Sequence, residues 1–252
     1  MAGRKRKWLA PAVTAAGILA AWEAAVRIYQ IPLYVLPAPS AVLSSLGTEF
    51  PVLIRHAGVT VAEALAGMGL ALFLAVLLGI IMDAFPGVKS GIYPVLVVTQ
   101  TVPMIVLAPI LIIYLGFGIA PKILTVVLMC FFPVAVSFTD AMGQMDEEYV
   151  HLVRSFGAGK WQAYRLVKIP AAVPALVSGL KVSATYSISG AVVGEWIGAQ
   201  SGLGYYLLRV KNGYMLDKVF ACVLMIVGLS LCMNGLIRLI QMAALPYMEK
   251  KH

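Results

Sequence analysis

Residues 65–82, 92–117, 123–139 and 219–237 each pass without one charged side chain. A bilayer's hydrocarbon core is about 30 Å thick and takes roughly 20 helical residues to cross. Runs of this length and purity commit the chain to a membrane. Composition agrees: 61% of the 252 residues are hydrophobic and 12% are charged, against roughly 45–50% and about 25% in soluble domains. A cytosolic enzyme, a secreted disulfide domain, a disordered tail and a nucleic-acid reader are excluded.

The net charge of +8 does not point to a polyanion. Its basic residues cluster beside the apolar runs, at Arg4, Lys5, Arg6 and Lys7, at Arg154, Lys160, Arg165 and Lys168, and at Lys250 and Lys251. That is how a membrane chain sets its orientation. Cys130, Cys222 and Cys232 all lie in apolar runs without metal-ligand spacing, and read as small hydrophobes in helix packing. Residues 8–28 are long enough to span and carry Glu23 and Arg27 near their far end. They read as a retained first helix rather than a cleaved signal peptide.

Six crossings are predicted, near residues 8–28, 60–84, 94–116, 122–140, 177–198 and 218–241. With the N-terminus inside, most of the 19 Lys and Arg residues fall on the inner side, so both termini are expected in the cytoplasm. Loops near residues 85–90 and 117–121 are tight and join antiparallel neighbours. Two connections are long. Residues 29–59 lie outside, with a turn-like Leu-Pro-Ala-Pro-Ser at 36–40 and a short interfacial helix expected after it. Residues 141–176 lie inside, and are helical in pattern and rich in charge.

That inner segment is the informative one. Asp146, Glu147 and Glu148 suit the positive end of a helix. Tyr149, Leu152, Val153 and Phe156 then recur at helical spacing. Gly157-Ala158-Gly159 breaks the helix, since glycine takes left-handed backbone angles cheaply. A second helix sets Trp161, Tyr164, Leu166 and Val167 against Lys160, Arg165 and Lys168, with Pro170 and Pro174 expected to end it. The pattern fits an amphipathic connector lying on lipid. It fits equally a rigid docking element with aromatic anchors for a soluble partner.

From Arg154 to Leu176 the segment, RSFGAGKWQAYRLVKIPAAVPAL, resembles the EAA loop of ABC-importer permeases. Gly157, Val167, Ile169 and Pro170 stand where that motif has its glycine, two apolar positions and proline. His151, Leu152 and Val153 stand in place of Glu-Ala-Ala, so no role of the motif's glutamate carries over. LPAPSAVL at 36–43, TVPMIVLAPILIIYLGFG at 101–118 and GAVVGEWIGAQSGLGYYL at 190–207 resemble the nitrate, sulfonate and taurine branch of these permeases. QTVPMIVLAPI at 100–110 and CFFPVAV at 130–136 look most like permeases for thiamine-precursor pyrimidines.

The resemblance implies an all-α integral membrane protein of the type I importer-permease fold, in a bacterial inner membrane, working as a homodimer. Two separate ATPase subunits would use the ATP, and an extracytoplasmic binding protein would deliver cargo and hold most of the selectivity. It implies that Leu152, Arg154, Phe156, Gly157, Ala158, Trp161 and Pro170 couple the chain to its ATPase. The implied division is a first crossing at 1–28, an outer connection at 29–59, a permease core at 60–241 with its coupling loop at 141–176, and a cytoplasmic tail at 242–252. Pyrimidine is the favoured cargo, with nitrate, sulfonates, taurine and riboflavin open. The alternative class is an ion-coupled secondary transporter, which needs a mid-helix acid; none is apparent.

The chain carries no chemistry of its own by this reading, and no metal or cofactor is expected on it. Gly157-Ala158-Gly159-Lys160 lacks the phosphate-loop pattern, because Arg154 and Trp161 occupy the positions that need Gly and Ser or Thr. Asp83 and Asp140 fall at inner helix ends, where solvation or capping explains them, and the histidines do not group. Among deep polar residues, Thr99, Gln100 and Thr101, between Pro94 and Pro103, and Ser187 are the candidates for a translocation path. Gly190, Gly194 and Gly198 form a close-packing stripe, either within the chain or between two copies. Glu195 and Trp196 near the outer end are candidates for an outer gate or a binding-protein contact.

Overall fold

The structure, a computed structural model, describes residues 2–244, with side chains from 10 to 243. The basic side chains at 4–7 and the tail from 245, with Lys250 and Lys251, lie outside the described residues. Every element among them is helical: α1 (Ala2–Ile28), α2 (Pro39–Ala84), α3 (Pro86–Thr99), α4 (Met104–Leu115), α5 (Ile119–Gly143), α6 (Glu147–Ser155), α7 (Lys160–Ala163), α8 (Ile169–Glu195), α9 (Leu203–Asn212) and α10 (Leu216–Ala244). Five helices are long and apolar enough to span. The α3–α4 pair, bent by 106°, is a sixth candidate, as one broken span or a re-entrant hairpin.

The segment expected as an outer connection, 29–59, is corrected from Pro39 onward. It is the first half of α2, a 46-residue helix of about 69 Å, more than twice the hydrocarbon thickness. The polar groups Ser45 and Glu49 in this half are met by other helices. Glu49 pairs with Lys218 at 2.6 Å and accepts from the Tyr206 hydroxyl at 3.0 Å. Burial, with Glu49 as acceptor, holds the Tyr206 phenol above its usual range, so it remains a donor. Ser45 bonds Asp217 at the start of α10. A helix tolerates charges wherever tertiary partners exist; a hydropathy window does not see them.

The third crossing, expected as one bent helix over 94–116, is two helices beginning at Pro86. Pro103 has no N–H and holds an extended backbone (φ −62°, ψ 124°), so α3 stops at Thr99. The expected loop at 85–90 shrinks to Phe85. Residues 203–212 add a short helix, α9, that the sequence pattern did not announce.

The centre of the bundle is α5, packed between α8 and α2. Between membrane helices there is little hydrophobic drive, because lipid is as apolar as leucine; close packing and polar contacts hold the helices together instead. Ala64, Met68, Val126, Cys130, Ala184 and Ile188 fill the seam. Cys130 and Ser183 staple it reciprocally, Ser183 Oγ donating to the Cys130 carbonyl at 2.6 Å and Cys130 Sγ to the Ser183 carbonyl at 3.3 Å. The glycine stripe belongs to this intrachain seam. A Cβ at Gly194 would stand 3.0 Å from Lys122 Cα, and one at Gly190 3.2 Å from Val126 Cα. Gly198 lies beyond the end of α8 and is not part of the seam. Gly194→Cys should therefore yield no disulfide-linked dimer under oxidation, and should lower the thermal midpoint of the purified chain, overpacking costing about 1–3 kcal/mol. A ready dimer band on non-reducing gels would place this face between copies instead.

Candidate coupling and translocation sites

The inner-segment residues fold into a cornered helix pair. Asp146 caps α6, its Oδ1 accepting from the Glu148 N–H at 3.0 Å. At the corner Gly157 has φ +86°, a conformation natural to glycine. Its N–H donates to the Arg154 carbonyl at 2.9 Å and Ala158 N–H to that of Val153 at 3.3 Å, closing α6 with a glycine C-cap. Gln162 Oε1 accepts from Gly159 N–H at 2.8 Å and starts the next helix.

Pro170 and Pro174 do not end that helix, contrary to the sequence expectation. Residues Lys160–Glu195 run as one continuous rod of 36 residues. A π-helical turn at Tyr164–Lys168, in which Ile169 N–H donates to the Tyr164 carbonyl five residues back, widens the backbone ahead of Pro170. The proline ring would clash with the carbonyl four residues before it in an ordinary turn. The consequence is mechanical: the corner is joined rigidly to the core helix α8.

Asp83, read from sequence as an ordinary helix end, locks this rod to α2. Its Oδ2 accepts from the Tyr164 hydroxyl at 2.6 Å and pairs with Lys168 Nζ at 2.7 Å. The Asp83 side chain is 6% exposed and that of Lys168 22%, so the contact is part-buried. Lys160 Nζ lies 5.5 Å from the centre of the Phe85 ring. While these residues hold the pair from behind, Phe156 (84% exposed), Trp161 and Leu152 face outward uncovered. Pro170 lines an apolar groove of about 420 Å³ with Tyr149, Leu152 and Leu166. Arg154 lines a more polar pocket of about 450 Å³ between the corner and the bundle, beside Asp83 and Lys160. The coupling candidates thus fall at one end of the bundle, with Ala158 half-buried beside the corner.

At the far end, Glu195 is corrected as a surface contact: it is 1% exposed. With Thr60 and His56 it captures the leading amides of α9. Gly204 N–H donates to Glu195 Oε2 at 2.6 Å, Leu203 N–H to Thr60 Oγ1 at 2.9 Å, and Gly202 N–H to His56 Nδ1 at 3.1 Å. Thr60 in turn donates to Glu195 Oε1 at 2.7 Å. A carboxylate also suits the positive end of a helix. Trp196 is half-buried beside it.

The expectation that no acid lies mid-helix is corrected too. Glu63, in the middle of α2, is buried and pairs with Lys122 of α5 at 2.8 Å. Two acids and a lysine far apart in sequence meet here, and no sequence motif announces it. Glu63 Oε1 is held by Lys122 and Glu195 by Thr60 and the leading amides of α9.

The path candidates divide. Thr99, Gln100 and Thr101 are exposed at the α3–α4 break. Ser187 is not with them: it is fully buried against α5 and donates to the Ala184 carbonyl at 2.9 Å. Its neighbour Tyr186 is the side chain that faces out, lining a cleft of about 270 Å³ with Gln100, Pro103, Met104 and Met129.

With this geometry in hand, comparison with known proteins is informative. The family described as "Binding-protein-dependent transport system inner membrane component" matches residues 67–243. A probable ABC transporter permease protein of Haemophilus influenzae is 31% identical over 229 residues, 91% of this chain and 94% of that one. The formylaminopyrimidine transport permease protein of Halalkalibacterium halodurans is 31% identical over 235 residues, 93% and 94% of the two chains. The taurine transport system permease protein of Escherichia coli is 28% identical over 245 residues, 93% and 88%. Among solved structures, a chain of the MetNI methionine ABC transporter in an inward-facing conformation superposes with a TM-score of 0.58 at 17% identity, covering 77% of this chain and 98% of that one. That likeness is one of fold.

Proposed function

Because the chain belongs to the family of binding-protein-dependent transport inner-membrane components, we propose that it carries a thiamine-precursor pyrimidine or a similar small organic solute inward. It is a multi-pass permease subunit of an ATP-driven ABC importer and not an enzyme; ATP is hydrolysed by a separate ATPase subunit. Membership implies that ATPase and a substrate-binding protein as partners. Beyond this, two copies of the chain pair across the path, the α6–α7 end faces the cytoplasm, and both termini lie there. The orientation is supported by the basic residues that crowd that end.

The observation that carries the coupling role is the corner itself. Phe156 and Trp161 stand exposed on a pair of helices whose rear is fixed to α2 and which continues unbroken into the core. Uncovered aromatics on a stiff mount suit an interface that must transmit force, and such anchors supply a large share of binding energy. When the two ATPases close around ATP, the rod would tilt α8 against α5 and move the path between its two openings.

Phe156→Ala tests this directly. Its side chain is exposed, so truncation spares the fold. Losing one anchor costs about 2 kcal/mol or more, roughly a thirtyfold weaker affinity for the ATPase. Titrating the ATPase against the permease in nanodiscs reads the effect, and an unchanged affinity would remove the corner from the interface. The pyrimidine assignment rests on the 31% identity to the formylaminopyrimidine permease. Uptake by the full transporter of formylaminopyrimidine, and not of taurine or riboflavin, is the expected result.

A further inference from the structure

We infer that the cleft at the α3–α4 break admits neutral, single-ring heterocycles that both donate and accept hydrogen bonds, and turns away small anions. The inference rests on the permease reading and adds a filter in this chain to the selectivity of a binding protein.

The cleft lies on a face that lipid does not suit. Val182, Thr185, Tyr186 and Ser189 are the exposed positions along this stretch of α8, spaced as one helical stripe, and three of them are polar. Polar groups within a spanning helix belong against water or protein rather than acyl chains. Asn234 of α10 extends the stripe by donating to Thr185 Oγ1 at 3.0 Å. Across from Tyr186 stands Gln100. The hydroxyls on either side of it are spent on the backbone, Thr99 donating to the Leu96 carbonyl at 2.7 Å and Thr101 to that of Val98 at 2.8 Å. With those two protons used, the Gln100 carboxamide is the side chain at the break with donors to offer a solute, two of them beside an acceptor.

Three further features fix the ligand class. Met104, Met129 and Pro103 form flat apolar walls, and thioethers pack well against aromatic rings. The volume of about 270 Å³ falls just below the range of roughly 300–1,000 Å³ typical of drug-sized ligands, which suits one ring rather than three. No charged side chain lines the cleft. The cations nearest in the chain are Lys89, ten residues before Thr99 on α3, and Lys181, five residues before Tyr186 on α8, about 15 Å and about 7.5 Å along their helices; neither lines the cleft. The carbonyl end of α3 and the amide end of α4 meet at the break, so their dipoles oppose and favour neither sign of charge. A sulfonate or nitrate would shed its hydration here with no cation to replace it.

The test uses the permease with its ATPase in nanodiscs and equilibrium dialysis against formylaminopyrimidine and against taurine. Formylaminopyrimidine should be retained and taurine should not. Gln100→Ala and Tyr186→Ala should each weaken pyrimidine retention at least fivefold, and Gln100→Arg should turn the preference toward taurine. Equal retention of both solutes, retention of neither, or pyrimidine retention indifferent to Gln100→Ala overturns the inference. Co-elution of the ATPase with the unaltered permease is scored in the same sample. Its absence would count against the permease reading, and its presence confines any failure to the cleft.

Discussion

Asp83→Ala should give a transporter that assembles with its ATPase but no longer moves solute. The exposed Phe156 and Trp161, proposed to dock the ATPase, are untouched by the change, so the partner is expected still to bind. What disappears is the fixed attachment of the rod Lys160–Glu195 to the end of α2, where Asp83 accepts from Tyr164 and pairs with Lys168. Hydrogen bonds to a charged group are worth about 1.5–3 kcal/mol each, and Asp83 accepts two of them. A bias of that size between two positions of the rod is a factor of roughly a hundred or more in their populations. The expected result is a drop of tenfold or greater in uptake per ATP hydrolysed by proteoliposomes, with ATPase affinity unchanged. Lys168→Met should reproduce most of the loss, and the Asp83→Ala/Lys168→Met pair should lose little more than either alone, the signature of two residues acting through one contact. Strictly additive losses, or normal uptake in Asp83→Ala, would show that the lock is incidental.

Neither Asp83 nor its partners were legible from sequence as a unit, and the reason is general. The fold class, the spans and the glycine corner follow from local properties: uncharged runs, helical spacing, and the backbone freedom of Gly157. Those depend on residues near one another in the chain. The contact of Asp83 with Lys168 joins positions 85 apart, and Glu195 with Thr60 joins positions 135 apart; no periodicity encodes such meetings. Proline obeys the same limit: the bend expected between Pro94 and Pro103 is present, as a 106° turn between two helices, whereas Pro170 does not end its helix. Pro103 breaks a helix and Pro170 does not, because a π-helical turn can relieve the ring's clash and sequence spacing does not reveal where it will. Ser187 was misassigned because small polar residues occur on both sides of α8, and only packing against α5 tells the inward side from the outward one.

The buried pair of Glu63 and Lys122 supplies the largest stability effect. Glu63 Oε1 meets Lys122 Nζ at 2.8 Å, with the two side chains 3% and 11% exposed. Glu63 Oε2 meets no donor among the described residues, so the pair is held by one strong contact rather than a saturated network. Lys122→Met keeps the length of the side chain and removes the charge, leaving the carboxylate buried without its counter-ion. The expected cost is about 3–5 kcal/mol, a fall in thermal midpoint of roughly 6–20 °C for a chain of this size. Glu63→Leu alone should cost a similar amount, by stranding the lysine. The double variant Glu63→Leu/Lys122→Met should recover most of the stability, because both desolvation penalties vanish together and apolar replacements of buried pairs are often neutral or stabilising. Thermal unfolding of the four proteins in one detergent closes the cycle. Should Lys122→Met alone be harmless, or the double variant be as unstable as the two singles combined, the charges face water in the membrane-bound protein. The bundle would then owe its α2–α5 contact to apolar packing alone, with Ala64 and Met68 in one cluster with Val126 and Cys130.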